Sequence, residues 1–484
     1  MANDIDHDLG TRPPATPLPK FQLAIVWLIR LSDPVLYTQI FPYINEYILF
    51  LHLTHEPSQA GFYSGLLDST FAITQFLATY HWSMLSNRFG RKPVALIGTF
   101  GVALSTVYLG LSTSLTHLLI LRAIGGIFGG TASVVQSMVG DLSDASNQAT
   151  VFPIYALAWP IGSITGPIIG GMLSNPADTY GSFFQNSIFS RHPYFLPGLV
   201  SGVLALLCVL FAYFYLEEVS SFVQRRPSLM CKSAIISLSE LSPLNELSSD
   251  APQPEFTLIE TFSIPIIRVL AISVFSLNMN GVAFDFLFVL FCYTPIENGG
   301  LSFSPLTIGY VLSSAGIIYS FLQIVIMPVV LKRVEAAKLY FIAVASWPVV
   351  FATLPFLNVI ASHGLVAETG DMTPFSTFIL WIGVGLVLTA SKVGSVAYIL
   401  SLILTKTNSS NPALLAVSNG IISCAMSLAR IISPVLSSFI FSISIEYHLL
   451  RGYFWALVMV CSCFLTCILT QNVVRLSQSS LNVD

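Results

Sequence analysis

The sequence predicts an all-α membrane protein of twelve transmembrane helices in two bundles of six, with both termini cytoplasmic. Three observations carry this prediction. Hydrophobic residues make up 54% of the 484 and charged residues only 9%, against roughly 25% charged in a soluble domain; such a surface would not stay in water. Apolar segments of the ~20 residues that a helix needs to cross ~30 Å of hydrocarbon recur along the whole length. A polar stretch near the middle parts them six and six.

Residues 1–20 form a polar N-terminal tail, with Asp4, Asp6 and Asp8 followed by the Pro-rich RPPATPLP. It lacks the charged-then-apolar layout of a cleavable signal, so the first span is expected to act as an uncleaved one. The N-terminal bundle, 21–216, holds spans at Phe21–Leu51, Gly61–Leu85, Pro93–Leu111, His117–Val139, Val151–Leu173 and Phe195–Leu216. Residues 217–264 are rich in Ser and Pro with too few aromatics to build a core, and read as a cytoplasmic linker. Within it, RRPS offers Ser228 as a phosphate acceptor; the plainer reading is a solvated linker. The C-terminal bundle, 265–469, holds spans at Pro265–Phe291, Pro305–Val330, Leu339–Val359, Pro374–Leu404, Pro412–Ser442 and Tyr453–Leu469, and 470–484 is a cytoplasmic tail.

Orientation follows from the basic residues. Lys and Arg crowd the connections on the side of the termini, Arg88, Arg91, Lys92, Arg225, Arg226, Lys332 and Arg333 among them, whereas the other side carries only Arg191 and Arg451. Positive loops stay cytoplasmic. The cysteines of the apolar segments form no CxxC, and the histidines give one close pair, His52 and His55, in an external loop. Neither pattern makes a metal or cofactor site, and none is expected.

The stretch WPIGSITGPIIGG, Trp159 to Gly171, is unusual for an apolar run. Inside a soluble helix Gly costs ~1 kcal/mol and Pro ~3 kcal/mol relative to Ala. Gly162, Gly166 and Gly170 recur every four residues, so they line one stripe where a neighbouring backbone can come close, and Pro167 adds a kink beside it. A smooth contact of this kind suits two bundles that must part and re-form. Aligning Gly166-Pro167 with Ser433-Pro434 sets Gly162, Gly166, Gly170 and Gly171 against Ala429, Ser433, Ser437 and Ser438, so the two halves read as a diverged repeat. Transporters that rock two bundles about a central site have this layout, although small-xxx-small spacing is common in any packed membrane helix.

GSITGPIIGG matches GxxxGPxxGG, the fifth-helix signature of antiporters in the major facilitator superfamily, and SMLSNRFGRKPV, Ser83 to Val94, resembles that superfamily's loop signature GxLaDrxGRkxv. Arg122 in LLILRAIGGIFGG resembles its fourth-helix arginine. The runs RLSDPVLYTQIFPYINEY and GFYSGLLDSTFA resemble the fungal branch of the twelve-spanner drug:proton antiporters, related to the zinc-induced-facilitator-like transporters. The resemblance implies export of organic molecules in exchange for protons. In the family the loop's acidic residue holds the bundles together by facing the start of the eleventh helix. Asn87 stands at that position here, keeping hydrogen bonding and losing charge, while Arg88, Gly90, Arg91 and Lys92 remain and Asp141 offers one of the cations a partner.

An ionisable side chain at the bilayer centre costs ~2.5–3.5 kcal/mol on the mildest scale, so each one points to function. Asp33 lies about 18 Å along the first span, next to Pro34, which weakens the helix and leaves polar backbone to solvate it. Arg30 sits one turn earlier. Asp33 is then either a proton carrier switched by Arg30 or half of a self-neutralising pair. Asp68 and Asp285, in the outer thirds of the second and seventh spans, are further proton-coupling candidates. Arg122, Lys392 and Arg430 are the candidate cations of a substrate cavity. Lys392 either meets an acid of the other bundle or binds anionic substrate.

The expected protein is thus a proton-coupled exporter of small amphipathic organic compounds working by alternating access. It is not an enzyme. Its partners are a small organic substrate, protons and the lipid bilayer, with no nucleic acid, and it acts as a monomer in the plasma membrane in preference to the vacuolar one. A metal-ion (zinc) facilitator and a non-transporting receptor on the same fold are the alternatives.

Overall fold

The computed structural model describes residues 19–54, 57–143, 147, 151, 154–181, 184, 187–218, 258–365, 372–409 and 412–481. Ser228, His55 and most of the expected linker lie outside the described residues.

In the N-terminal half the chain forms α1 (Lys20–Thr38), α2 (Ile44–Phe50), α3 (Pro57–Phe89), α4 (Arg91–Leu109), α5 (Leu115–Gly129), α6 (Ala132–Leu142), α7 (Ala158–Leu173) and α8 (Phe195–Tyr215). The C-terminal half forms α9 (Pro265–Tyr293), α10 (Pro305–Phe321), α11 (Ala336–Gly364), α12 (Pro374–Ser395), α13 (Ala397–Thr407), α14 (Pro412–Glu446) and α15 (Phe454–Leu481). Helix starts follow local chemistry. Ser304 and Thr373 accept from the amides of Thr307 and Ser376, each followed by a proline whose missing N–H is no loss in the first turn.

Several expected spans are interrupted. The first divides at residues 39–43 into α1 and α2, the fourth at residues 130–131 into α5 and α6, and the tenth at Val396 into α12 and α13. The fourth breaks at adjacent glycines, Gly129 and Gly130, where helix propensity is low. Leu258–Ser263, inside the stretch read as linker, is a short helix. Among the described residues ten helical segments are long and apolar enough to cross a membrane. The two further rods, α1 and α3, fall short because α1 carries Lys20, Arg30 and Asp33, and α3 carries Asp68, Gln59, Gln75 and His81.

The two halves are built differently inside. The C-terminal half has one continuous core reaching from Leu270 through Phe288, Trp347 and Phe351 to Trp455. The N-terminal half has separate clusters, around Ile29 and Met138, around Leu36 and Val102, and around Tyr43, Tyr47 and Tyr194.

The halves meet through α7 against α10 and through α14 against α3. Each contact sets a glycine of one helix against the carbonyl of a proline on the other. A Cβ added at Gly309 would stand 2.6 Å from Pro167 O, and one added at Gly65 would stand 2.5 Å from Pro434 O. This corrects the expected role of the glycine stripe. Gly162, Gly166 and Gly170 face α1 of their own half, where a Cβ would collide with Pro34, with Thr38 Oγ1 and with Gln39 O respectively. Only Gly171 of that run reaches the second half, where a Cβ would meet Pro305 O at 2.7 Å. The spacing of four was legible; which neighbour it faced was not.

Phe62 packs on Phe439 and Phe41 on Phe286, closing the end of the molecule away from the termini. Further along the interface Ser313 donates to Ile164 O at 2.8 Å and Arg430 to Gln75 Oε1 at 3.3 Å.

Candidate functional site

Two cavities meet at Tyr37, Trp159 and Arg430. The smaller, of about 50 Å³, lies chiefly in the N-terminal half among α1, α3, α4 and α5, is lined by Arg30, Asp33, Gln75 and Arg122, and is reached by Arg430 from the other half. It has room for water and none for an organic molecule. Arg30 donates to Asp33 Oδ2 at 3.1 Å, one turn apart on α1, and the guanidinium also lies over the Tyr155 and Trp159 rings. Both side chains keep about a fifth of their surface open. The self-neutralising pair read from the sequence is therefore formed, and it lines a cavity.

Asp68 is more deeply held. It is 1% exposed, 3.6 Å from Arg122, and accepts from the Tyr37 hydroxyl at 3.1 Å. The Arg122 guanidinium lies over Phe71. Arg122 lines the small cavity and not the large one, so its proposed contact with substrate has no direct route here.

The larger cavity, of about 380 Å³, lies between the halves. Tyr37, Phe41 and Trp159 line it from the N-terminal side, and Phe286, Tyr319 and Tyr398 from the C-terminal side. Its charged residues are Asp285, Lys392 and Arg430. Lys392 Nζ is 3.8 Å from Asp285 Oδ1, a partner from its own half and not from the other bundle. The Asp285 side chain is 59% exposed, all but open to the cavity. Arg430 crosses the interface, donating to Gln75 Oε1 at 3.3 Å with its guanidinium 4.7 Å from the centre of the Tyr37 ring. Gln75 is fixed in turn by donating to Gly129 O at 3.1 Å.

The loop between α3 and α4 makes several contacts within its own half. Gly90 takes φ +97°, a conformation that favours glycine, to make the turn. The carboxylate of Glu218 then caps α4, accepting from the amides of Arg91 at 2.9 Å and Lys92 at 3.2 Å. Arg91 pairs with Asp141 at 2.5 Å, and Lys92 Nζ donates to Tyr213 O at 2.9 Å. Arg88 lies over its neighbour Phe89. Asn87 is exposed, and its side chain makes no hydrogen bond to a described residue.

The family profile described as Major Facilitator Superfamily matches residues 27–434. The chain belongs to the major facilitator superfamily. It is 34% identical over 482 residues to the major facilitator-type transporter psiT2 of Psilocybe cyanescens, covering 95% of this chain and 91% of that one. It is 26% identical to the major facilitator superfamily multidrug transporter mfsB of Aspergillus fumigatus, with 94% and 84% covered. To the protein ZINC INDUCED FACILITATOR-LIKE 1 of Arabidopsis thaliana it is 27% identical, with 88% and 84% covered. A bacterial homolog to the human lysosomal transporter Spinster, solved inward-facing and unoccupied, shares the fold with a TM-score of 0.66 at 15% identity, covering 97% and 98%. This major facilitator protein is thus a multi-pass membrane transporter and not an enzyme.

Sequence reasoning passed over Tyr37, Gln75 and Glu218. Gln75 follows Asp68 by seven residues, two turns along the same face of α3, so a polar stripe was readable there. Glu218 gave no signal, since its partner lies 127 residues away.

Proposed function

We propose that this transporter is a proton-coupled exporter of small amphipathic organic compounds, working by alternating access across twelve spans with both termini cytoplasmic. The observation that supports it most is the 380 Å³ aromatic cavity between the halves, adjoined by three acid–base pairs: Arg30–Asp33, Arg122–Asp68 and Lys392–Asp285. A carboxylate held by a cation can lose that partner when the halves move, and its affinity for a proton then rises. Aromatic walls bind by area more than by shape, which fits the multidrug transporter among the relatives. On this reading α1 and α3 cross the membrane despite their charges, because those charges face cavities or one another. The bundles are 21–216 and 265–469, joined by the linker 217–264, and the monomer exports from the plasma membrane.

The test is reconstitution into vesicles. Proton flux is recorded while cationic, neutral and anionic aromatics and zinc are added in turn. Flux linked to an organic compound supports the proposal. Flux linked to zinc alone, or to nothing, removes it. A fluorescent fusion seen at the vacuolar membrane would correct the membrane assigned.

A further inference from the structure

The charges that line or adjoin the two cavities do not cancel. Arg30, Arg122, Lys392 and Arg430 stand against three carboxylates, Asp33, Asp68 and Asp285. Arg30 and Lys392 each hold one carboxylate. Arg122 and Arg430 are left to share the field of the third, Asp68, which is 3.6 Å from Arg122 and accepts from the Tyr37 hydroxyl, whose ring lies under Arg430. However that charge is apportioned, one cation is left over. It cannot be removed by deprotonation, because arginine stays charged.

Arg430 is where the surplus meets the large cavity. Among the described residues it forms no salt bridge, and its contacts are neutral: the Gln75 amide and Tyr37. A cation–π contact offsets only part of what a charge costs inside a membrane. The guanidinium is consequently short of a counter-charge. It carries five N–H donors in a planar fork that matches an oxyanion, and it stands among Trp159, Phe286 and Tyr319, which supply flat apolar walls.

We infer that Arg430 is the receptor for an oxyanion on the substrate, and that the compounds carried are aromatic organic anions: a ring system bearing one carboxylate, sulfate or phosphate group. This deepens the proposed export function and rests on it. The geometry adds a consequence. An oxyanion on Arg430 competes with Gln75 Oε1 for the same guanidinium, and Gln75 belongs to the other half, so binding loosens a hydrogen bond between α3 and α14.

The experiment uses the full-length protein in lipid nanodiscs and three probes with one ring: 1-naphthylacetate, 1-naphthylmethylammonium and 1-naphthaleneethanol. Binding is measured by calorimetry against empty nanodiscs. The wild type is expected to bind the anion at least tenfold more tightly than the cation and the neutral alcohol. Arg430→Gln should bring the anion to the level of the alcohol while changing the alcohol's affinity by less than about twofold, and Arg430→Lys should keep part of the preference. Equal affinities or a preference for the cation in the wild type would overturn the inference, and this arm needs no variant to fold. An anion preference that survives Arg430→Gln would also overturn it. The two readings separate in the vesicle assay. Proton flux linked only to the ammonium or the alcohol keeps the exporter and sinks the anion receptor; anion binding without any linked flux does the reverse.

Discussion

Three aspartates in one membrane region differ in what surrounds them, and that decides what their removal does. Asp33 is a partly open carboxylate beside a water-sized cavity, with its cation one turn away. If it carries the proton, Asp33→Asn mimics the protonated form permanently. Vesicles containing this variant should exchange substrate down its gradient yet fail to accumulate it when a pH difference is imposed. A tenfold proton gradient supplies ~1.4 kcal/mol per proton, so the loss is readable as accumulation falling to the equilibrium level; accumulation equal to wild type would move the role to Asp285. Asp68 differs: it is buried, and its removal strands Arg122. Breaking a buried pair by deleting one partner costs ~3–5 kcal/mol. Asp68→Asn should therefore lower the thermal midpoint of the purified protein, and adding Arg122→Gln should restore part of it. Additive losses in the double variant would mean that the two do not act as a pair. All three acids were legible in the sequence, because a charge in an apolar run stands out. Their partners were not, apart from Arg30, since Asp68 with Arg122 and Asp285 with Lys392 are brought together only by tertiary packing.

At the scale of the helix, the glycines of α7 divide by what they touch. Gly166 lies against Thr38 and the backbone of α1, in the same half, so under the proposed alternating access the contact would persist whichever way the transporter faces. Gly309 lies against Pro167 O in the other half, and under the proposed alternating access that contact would exist only while the far end is closed. Gly166→Leu should lower thermal stability, by the ~1–3 kcal/mol typical of overpacking, along with transport. Gly309→Leu should leave stability near wild type and stop transport, because opening the far end relieves the clash and traps the protein there. Equal destabilisation by both would show that the α7–α10 contact is fixed. Periodicity revealed the small-residue stripe because a helix repeats every 3.6 residues. It carries no information on which helix packs against the stripe, and so the expected contact between bundles was misplaced onto Gly162, Gly166 and Gly170.

For the molecule as a whole, the state described is closed at the end away from the termini, and its loop motif is held by Glu218 and Asp141 of its own half. Asn87 stands free of both. In the sequence the position drew notice as a missing acid, and the structure gives that absence a place: nothing charged at residue 87 holds the terminal end shut. Orientation and state can then be read together. In a background without native cysteines, Ser163→Cys places a thiol on the wall of the large cavity. With cytoplasmic termini, a membrane-impermeant maleimide should label it in inside-out vesicles and not in right-side-out ones, and the one Asn-x-Ser/Thr sequon, at Asn408, should stay free of sugar. Labelling from the opposite face, or a glycan on Asn408, would invert the topology. Adding Asn87→Asp restores the charge that the family's loop carries, and closure of the terminal end gains what the present state does not use. Labelling from the terminal side should fall several-fold, with transport turnover altered more than substrate affinity. A ten-fold fall would correspond to ~1.4 kcal/mol in favour of the closed state, within reach of one partly buried charge at a helix end. Labelling unchanged by Asn87→Asp would mean that the loop no longer gates, and that Gly90, Arg91, Lys92 and Asp141 serve only to fix α4 to its own half.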